Sequence, residues 1–427
     1  MTQRITATYD VIVAGGGSAG VAAAIAARRL GARTLLIERS GCLGGAATMR
    51  NVLTYCGLYT IEDRPRPTVA GIAQEVIDRL KRLDAVLGPK RFRGVFVLFD
   101  PEAVKAVLDD VANQAGVEVL LHTTLIGTQR QGGRLGSIEV YGPGGRNFYQ
   151  GHAFVDATGE CELAHLGGAS TRYGNHGFVN LGTLGTRFGG IEPGADISVA
   201  TVSAAIQAAK AKGQGPLSKD HSLIVRLPIS NDVICYLASE DYDARDARAL
   251  SRAEARGRAQ AWQYLDVIRR LPGCGQAYLV STGPDFGTRE SRHINARHQL
   301  TWDEVLTKAD FADTIALGSW ASEFHSRETL KSSFELPLGA YDIPLSSLIS
   351  ADTQNLFAAG RTVDGDRQAG ASIRVMGTAF ATGQAAGVAA GLFAESGIID
   401  AGLVRRQLLA QGALLDRHAL PDAVDLV

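Results

Sequence analysis

Residues Tyr9 to Glu38 constrain the fold of this chain more than any other stretch. Val11, Ile12 and Val13 form a short apolar run that reads as a buried parallel strand. It runs into Gly15-Gly16-Gly17-Ser18-Ala19-Gly20, then into an alanine-rich, helix-forming run to Leu30, with Gly31 placed to end the helix. Thr34 to Ile37 make a second strand that ends at Glu38. Strand, G-x-G-x-x-G turn, helix, strand and acid, in that order, form a βαβ unit built to hold a dinucleotide. Gly15 permits the tight turn, Gly17 lets a pyrophosphate approach the backbone, and Gly20 lets helix and strand pack closely. The free N–H groups of the helix start face the phosphates, and Glu38 can accept hydrogen bonds from an adenosine ribose. Glycine clusters arise by chance in a chain with 50 glycines. The order of the elements makes this one specific.

With 427 residues there is room for two or three domains and a large core. A hydrophobic fraction of 45% and a charged fraction of 20% are those of an ordinary globular protein. The net charge of −1 gives no footing to a nucleic-acid or anionic-membrane partner. Five scattered cysteines, Cys42, Cys56, Cys161, Cys235 and Cys274, show no spacing of a zinc site or a redox dithiol, so no metal is expected and a reduced setting is. No apolar leader precedes the first strand, and the most apolar later stretch, Val375 to Phe393, carries Thr378, Thr382, Gln384 and several glycines. That composition suits a buried helix better than a membrane span, and the cytoplasm is the expected compartment.

Further along, Arg39 to Thr48 is a loop of small residues that must leave the second strand beside the dinucleotide. Val69 to Leu83 has helical periodicity. Asp100-Pro101-Glu102 is a helix start, with Asp100 as N-cap and the helix running to about Ala115. Strands follow around Val117 to His122, Thr124 to Gln129, Leu135 to Tyr141 and Asn147 to Val155, the last entering Asp156-Ala157-Thr158-Gly159. The stretch from Gly168 to Leu336 changes character, with a charged helical run from Arg245 to Arg270 and a capping box at Thr301-Trp302-Asp303-Glu304. A strand over Asn355 to Ala359 enters Gly360-Arg361, and Ser372 to Gly377 opens a long helix through about Glu395. Gly383, Gly387 and Gly391 recur on one face of it, as for a helix pressed closely onto a sheet.

Three strand-to-glycine turns thus lie far apart: Gly15 to Gly20, Ala157 to Gly159, and Gly360 to Asp366. A nicotinamide site needs the first and has no general use for the others. A flavin dinucleotide is longer and calls on contacts from elsewhere in the chain. The motifs Gly44-Gly45-Ala46-Ala47-Thr48, Val155 to Gly159, Arg289-Glu290-Ser291-Arg292, Ala359-Gly360-Arg361, Ser372 to Met376 and Gly383-Gln384-Ala385-Ala386-Gly387 resemble the FAD-dependent oxidoreductase family. That family is related to two-dinucleotide-fold flavoproteins of the glutathione-reductase type and to the fumarate reductase and succinate dehydrogenase flavoproteins. The likeness runs from about Asp10 to Leu392 in family order. It departs at Asp364 and Arg367, where family members often carry Ser and His, and it lacks the disulfide reductases' cysteine pair, because Cys42 and Cys56 stand too far apart.

The resemblance implies an α/β fold: a Rossmann-like FAD-binding domain, its parallel sheet carrying a crossover β-meander, with an inserted α+β substrate or cap lobe. The expected parts are 1–167 and 337–427 for the FAD domain and 168–336 for the lobe. Non-covalent FAD would lie on Gly15, Gly17, Ser18, Ala19 and Gly20, with Glu38 and Arg39 at the ribose and Gly44, Gly45, Ala46 and Thr48 along the flavin edge. Leu125 would meet the adenine through its backbone, and Ala157, Thr158 and Gly159 the adenosine half. Gly360, Arg361 and Asp366 would approach the ribitol and pyrophosphate, and Ser372, Arg374, Val375 and Met376 the pyrimidine end. Arg289, Arg292, His325, Tyr341 and Arg374 are candidates for substrate binding and proton transfer, since arginine grips carboxylates and histidine moves protons near neutral pH. The expected activity is hydride transfer between FAD and a small polar organic substrate, with an unidentified electron acceptor or donor; a homo-oligomer is compatible with the sequence. A flavin monooxygenase and a FAD-scaffold electron-transfer subunit are the alternatives.

Overall fold

The structure is a computed structural model that describes residues 5–337 and 339–427. Strand β1 (Ala7–Ala14) leads into helix α1 (Ser18–Arg29), and strand β2 (Thr34–Ile37) returns parallel to β1, with Val11 opposite Thr34 and Ala14 opposite Ile37. They belong to a seven-stranded sheet in the order Glu118–Leu120, β2, β1, Gly145–Asp156, Arg134–Gly142 and Thr124–Gln131. The long strand Gly145–Asp156 runs parallel to β1 along its length. On its other side it pairs antiparallel with Arg134–Gly142 and, nearer its end, parallel with Leu356–Ala358. It therefore joins the antiparallel meander to the parallel half of the sheet and carries Ala157 to Gly159 to the carboxyl edge beside Gly15. Val11, Ile12, Val13, Phe154, Val155 and Phe357 are fully buried, which is why these strands read as unbroken apolar runs rather than alternating ones.

The local start signals act as read. Asp100 accepts hydrogen bonds from the Glu102 and Ala103 N–H groups and caps helix Pro101–Gln114. Thr301 and Glu304 close a reciprocal capping box over Trp302–Thr307. The helix expected to open at Ser372 is in fact two. Asp366 caps a short helix, Arg367–Ile373; the chain then straightens at Val375, and the long glycine helix occupies Met376–Ser396.

A second core, built from residues such as Leu184, Phe188, Leu237, Tyr264 and Leu265, belongs to an antiparallel four-stranded sheet. Its order is Ile224–Arg226, Val233–Glu240, Gly182–Gly189, Tyr278–Thr282; helix Ala247–Ile268 packs on it, and helix Val199–Ala211 packs on that helix. Ile294, Leu300, Trp302, Val305 and Ile315 join the main core instead. The stretch 168–336 is thus divided between two cores. Among the described residues no helix is long and apolar enough to cross a membrane.

The glycines of the long helix press on α1 rather than on the sheet. A Cβ at Gly383 would stand 2.1 Å from the Ala19 carbonyl oxygen, and one at Gly387 would stand 2.0 Å from that of Ala23. The two helices therefore touch backbone to backbone, which only residues without a side chain allow. At Gly391 the nearest atom is the Leu30 Cδ1, at 3.1 Å, a side chain able to give way. Gly387→Ala should cost about 1–3 kcal/mol despite alanine's better helix propensity, while Gly391→Ala should stay within about 1 kcal/mol of the parent. Urea unfolding of the two variants checks the contrast; equal losses would mean that the helices do not meet in this register.

Candidate functional site

The dinucleotide cradle is made of backbone. Gly15 sits at φ +98°, and a Cβ there would be 2.4 Å from the Ala157 oxygen, so the first and second glycine turns lie against each other. The loop after β2 closes the third side: the Gly44 N–H donates to the Gly16 oxygen at 2.8 Å, and Gly45 packs on Gly17. Gly360, following strand Leu356–Ala358, packs on Ala19 in the first turn of α1. Glu38 ends β2 with its carboxylate accepting from the Gly16 N–H at 2.6 Å and the Ser40 N–H at 2.8 Å. Lone pairs remain on both oxygens for ribose hydroxyls. The Thr123 N–H donates to the Glu38 main-chain oxygen, which brings the strand carrying Leu125 to the same end.

Three observations fit this cradle to FAD. The Ser18 hydroxyl, at the first helical position, is buried with no hydrogen-bond partner. The first N–H groups of a helix have no partners within it, so phosphate oxygens suit this place. The third is a stagger. Gly383 lies against Ala19 and Gly387 against Ala23, so the glycine helix and α1 run parallel with a constant offset. In that register Met376 projects six residues beyond Ser18, about 9 Å at 1.5 Å per residue. Two positive helix ends in one direction, one set farther out, suit an extended ligand with its diphosphate at the first and an electron-rich ring at the second.

Beyond the second helix end opens a cavity of about 500 Å³, lined by Val375, Met376 and Cys56 on one side and by a charged cluster on the other. Lys219 Nζ lies 2.9 Å from His325 Nδ1, and His325 Nε2 lies 3.0 Å from a Glu323 carboxylate oxygen. The carboxylate can only accept, so Nε2 carries the ring proton and Nδ1 accepts from Lys219. Burial, seconded by the Arg289 charge and resisted by Glu323, lowers Lys219 to about 7. His325 is driven well below its ordinary range by burial and by Arg289, against the pull of Glu323. Burial would raise Glu323, but His325, Arg374 and Arg289 outweigh it and hold the carboxylate ionised. Arg374 donates to the Glu323 main-chain oxygen at 3.0 Å, and Arg289 donates to the Leu181 oxygen at 2.7 Å and to the Thr183 hydroxyl. Burial pushes Cys56 up to about 12, so it remains a thiol.

Of the substrate-site candidates, Arg289, His325 and Arg374 line this cavity. Arg292 and Tyr341 are not among its lining residues. Arg292 lies on a short strand whose backbone pairs with Tyr173, and its charge is felt by Cys161 and Glu162. Tyr341 is buried, its hydroxyl 2.5 Å from that of Ser372, which itself donates to the Trp320 oxygen; both Tyr341 and Ser372 are spent on packing. Asp366 is likewise taken up, capping its helix and accepting from the Trp302 N–H at 2.7 Å. Arg361 and Arg50 flank Glu160 at 2.8 and 3.1 Å; burial would raise that carboxyl, but the two arginines hold it at about 2. Arg39 pairs with Asp285 at 2.7 Å, tying the end of β2 to the segment after strand Tyr278–Thr282. Thr48 donates to the Leu43 oxygen, and Thr158 bonds Asp156 within its own turn. Lys219 and Glu323 had no motif around them: each stands among polar neighbours, Ser218 and Asp220 for one and Ser322 and His325 for the other, that give no local signal.

The profile of a family described as FAD dependent oxidoreductase matches residues 10–409. No curated protein matches the chain. Among solved structures it is similar to a geranylgeranyl bacteriochlorophyll reductase-like protein from Thermoplasma acidophilum, with 13% identity and a TM-score of 0.48 over 95% of this chain and 84% of that one. It is also similar to p-nitrophenol 4-monooxygenase PnpA from Pseudomonas putida DLL-E4, with 12% identity and a TM-score of 0.47 over 94% and 84% of the respective chains.

The lowered Lys219 has a consequence for stability. Between about 7, where the folded chain releases this proton, and 10.5, where the unfolded chain does, the unfolded state binds more protons. Stability contributed by this group therefore rises with pH across that window, by about 1.4 kcal/mol per unit, and is flat below it. Lys219→Met should be more stable than the parent near pH 7, with the gap closing as pH approaches 10. Urea midpoints of both proteins at the two ends of the window check this; parallel curves would mean that Lys219 keeps an ordinary affinity for its proton.

Proposed function

The chain belongs to the FAD-dependent oxidoreductase family, and on that premise we propose that it is a dehydrogenase or reductase moving a hydride between an organic substrate and non-covalently bound FAD. The observation that carries this is the opening of the Lys219–His325–Glu323 chain into the same cavity as the N-terminus of the glycine helix. When bound, FAD supplies the hydride acceptor or donor. The protein's own share is the proton and the geometry. At Nζ, Lys219 takes a proton from the substrate in the oxidising direction and returns it in the reducing one, and a value near 7 suits both. His325 accepts a hydrogen bond from Lys219 and donates one to Glu323, which fixes the amine in place. Arg289 and Arg374 present guanidinium groups for a carboxylate or a polarised carbonyl. The thiol form of Cys56 argues against a dithiol relay, so electrons leave or arrive through a separate donor or acceptor.

Reconstitution with FAD, followed by anaerobic addition of candidate substrates, tests the reading: the right compound bleaches the oxidised flavin spectrum without oxygen. A protein that cannot be loaded with flavin would sink it, and NADPH-driven oxygen uptake with a hydroxylated product would replace it with monooxygenase chemistry. In the loaded enzyme Lys219→Met should lower kcat by about 10²–10⁴ with KM little changed. It should also remove the limb of the pH–rate profile near 7, while Arg289→Lys acts mainly on KM.

A further inference from the structure

The cavity lining is of two unlike kinds, and together they describe what enters it. Arg289, Arg374 and Lys219 give it positive charge. Phe92, Phe96, Trp320, Phe334 and Leu223 give it apolar walls, with the Trp320 and Phe334 rings edge to face at 5.5 Å. The two kinds adjoin: Phe334 lies opposite Glu323 on the paired strands Ser322–His325 and Ser332–Glu335, and the Trp320 indole N–H donates to the Glu323 carboxylate at 3.3 Å. Arg93, also in the lining, lies over the Phe334 ring, 5.5 Å from its centre. A short polar molecule would satisfy the charged groups and leave the aromatic walls against water.

Charge fixes the other property. In the lining Arg93, Arg289, Lys331 and Arg374 outnumber Asp220 and Glu323, so a ligand meets net positive charge. Arg50 and Arg361, both paired with Glu160, also line the cavity, with the Arg361 guanidinium beside the Gly159 turn.

We infer that the substrate is an amphipathic anion, a flat aromatic or similarly apolar body bearing a carboxylate, rather than a small polar compound or a short dicarboxylate. The ring lies between Phe334, Trp320 and Phe92, and the carboxylate meets Arg289, which sets the oxidisable carbon between them. This rests on the redox reading of the site and deepens it.

The test uses the flavin-loaded protein and four probes: 2-naphthoate, propionate, succinate and neutral 2-naphthalenemethanol. Binding is read from perturbation of the flavin spectrum and from quenching of tryptophan fluorescence. 2-Naphthoate should bind at least about tenfold more tightly than any of the others, since each missing half removes about a factor of ten. Phe334→Ser should erase the advantage of naphthoate over propionate. Arg289→Lys, which keeps the charge but not the planar fork, should weaken both carboxylates and spare the alcohol. Succinate or propionate binding as tightly as naphthoate, or naphthoate binding that ignores Phe334→Ser, overturns the assignment while a reducible flavin leaves the redox reading standing. Failure to take up flavin overturns that reading, and the substrate class with it.

Discussion

The contact on which the rest of the site depends is the one between α1 and the glycine helix. Side chains of ordinary size hold helix axes about 8–10 Å apart. Here Gly383 and Gly387 allow the backbone of one helix to touch the carbonyls of the other. Close contact also fixes register, because a slide of one residue would drive alanine methyl groups into that backbone. Register in turn fixes how far Met376 projects beyond Ser18. The separation of the two positive helix ends is therefore set inside the core, well away from any ligand.

The charged cluster works by a different economy. Arg289, Arg374 and Lys219 stand close together in a poorly hydrated space, and three full charges of one sign there would be costly. Glu323 offsets one of them, and burial loosens the proton on Lys219. The groups that make the cavity attractive to an anion are also what brings an amine into the range where it can exchange protons. Remove Glu323 and both the amine and His325 lose their anchor.

How much of this could be read from the chain itself depended on range. The glycine turn at Gly15, the cap at Asp100 and the capping box at Thr301 are decided by residues a few positions apart, and each acts as the sequence suggests. The long helix was legible, but its partner was not: glycines every four residues demand a close neighbour without saying whether it is a sheet or a helix. The substrate cavity was half legible. Arg289 and Arg292 share one motif, yet Arg289 lines the cavity and Arg292, opening the short strand that follows, does not. Tyr341 reads as chemistry in the sequence, and the structure buries it with its hydroxyl bonded to that of Ser372. Lys219 and Glu323 come from segments over a hundred residues apart, and what makes them matter is shared burial, which no local pattern encodes.

Glu38 holds two offices at once. Its carboxylate receives the Gly16 and Ser40 N–H groups and so shapes the turn, while it is also the negative charge that would face a ribose. A phosphorylated ribose would meet that charge as a repulsion. Exchanging Glu38 for a neutral or basic residue would lift the repulsion and, in the same stroke, release the loop that Gly16 and Gly44 hold together. Nucleotide preference and turn geometry would therefore rest on one side chain, so that a change made for the first is felt by the second.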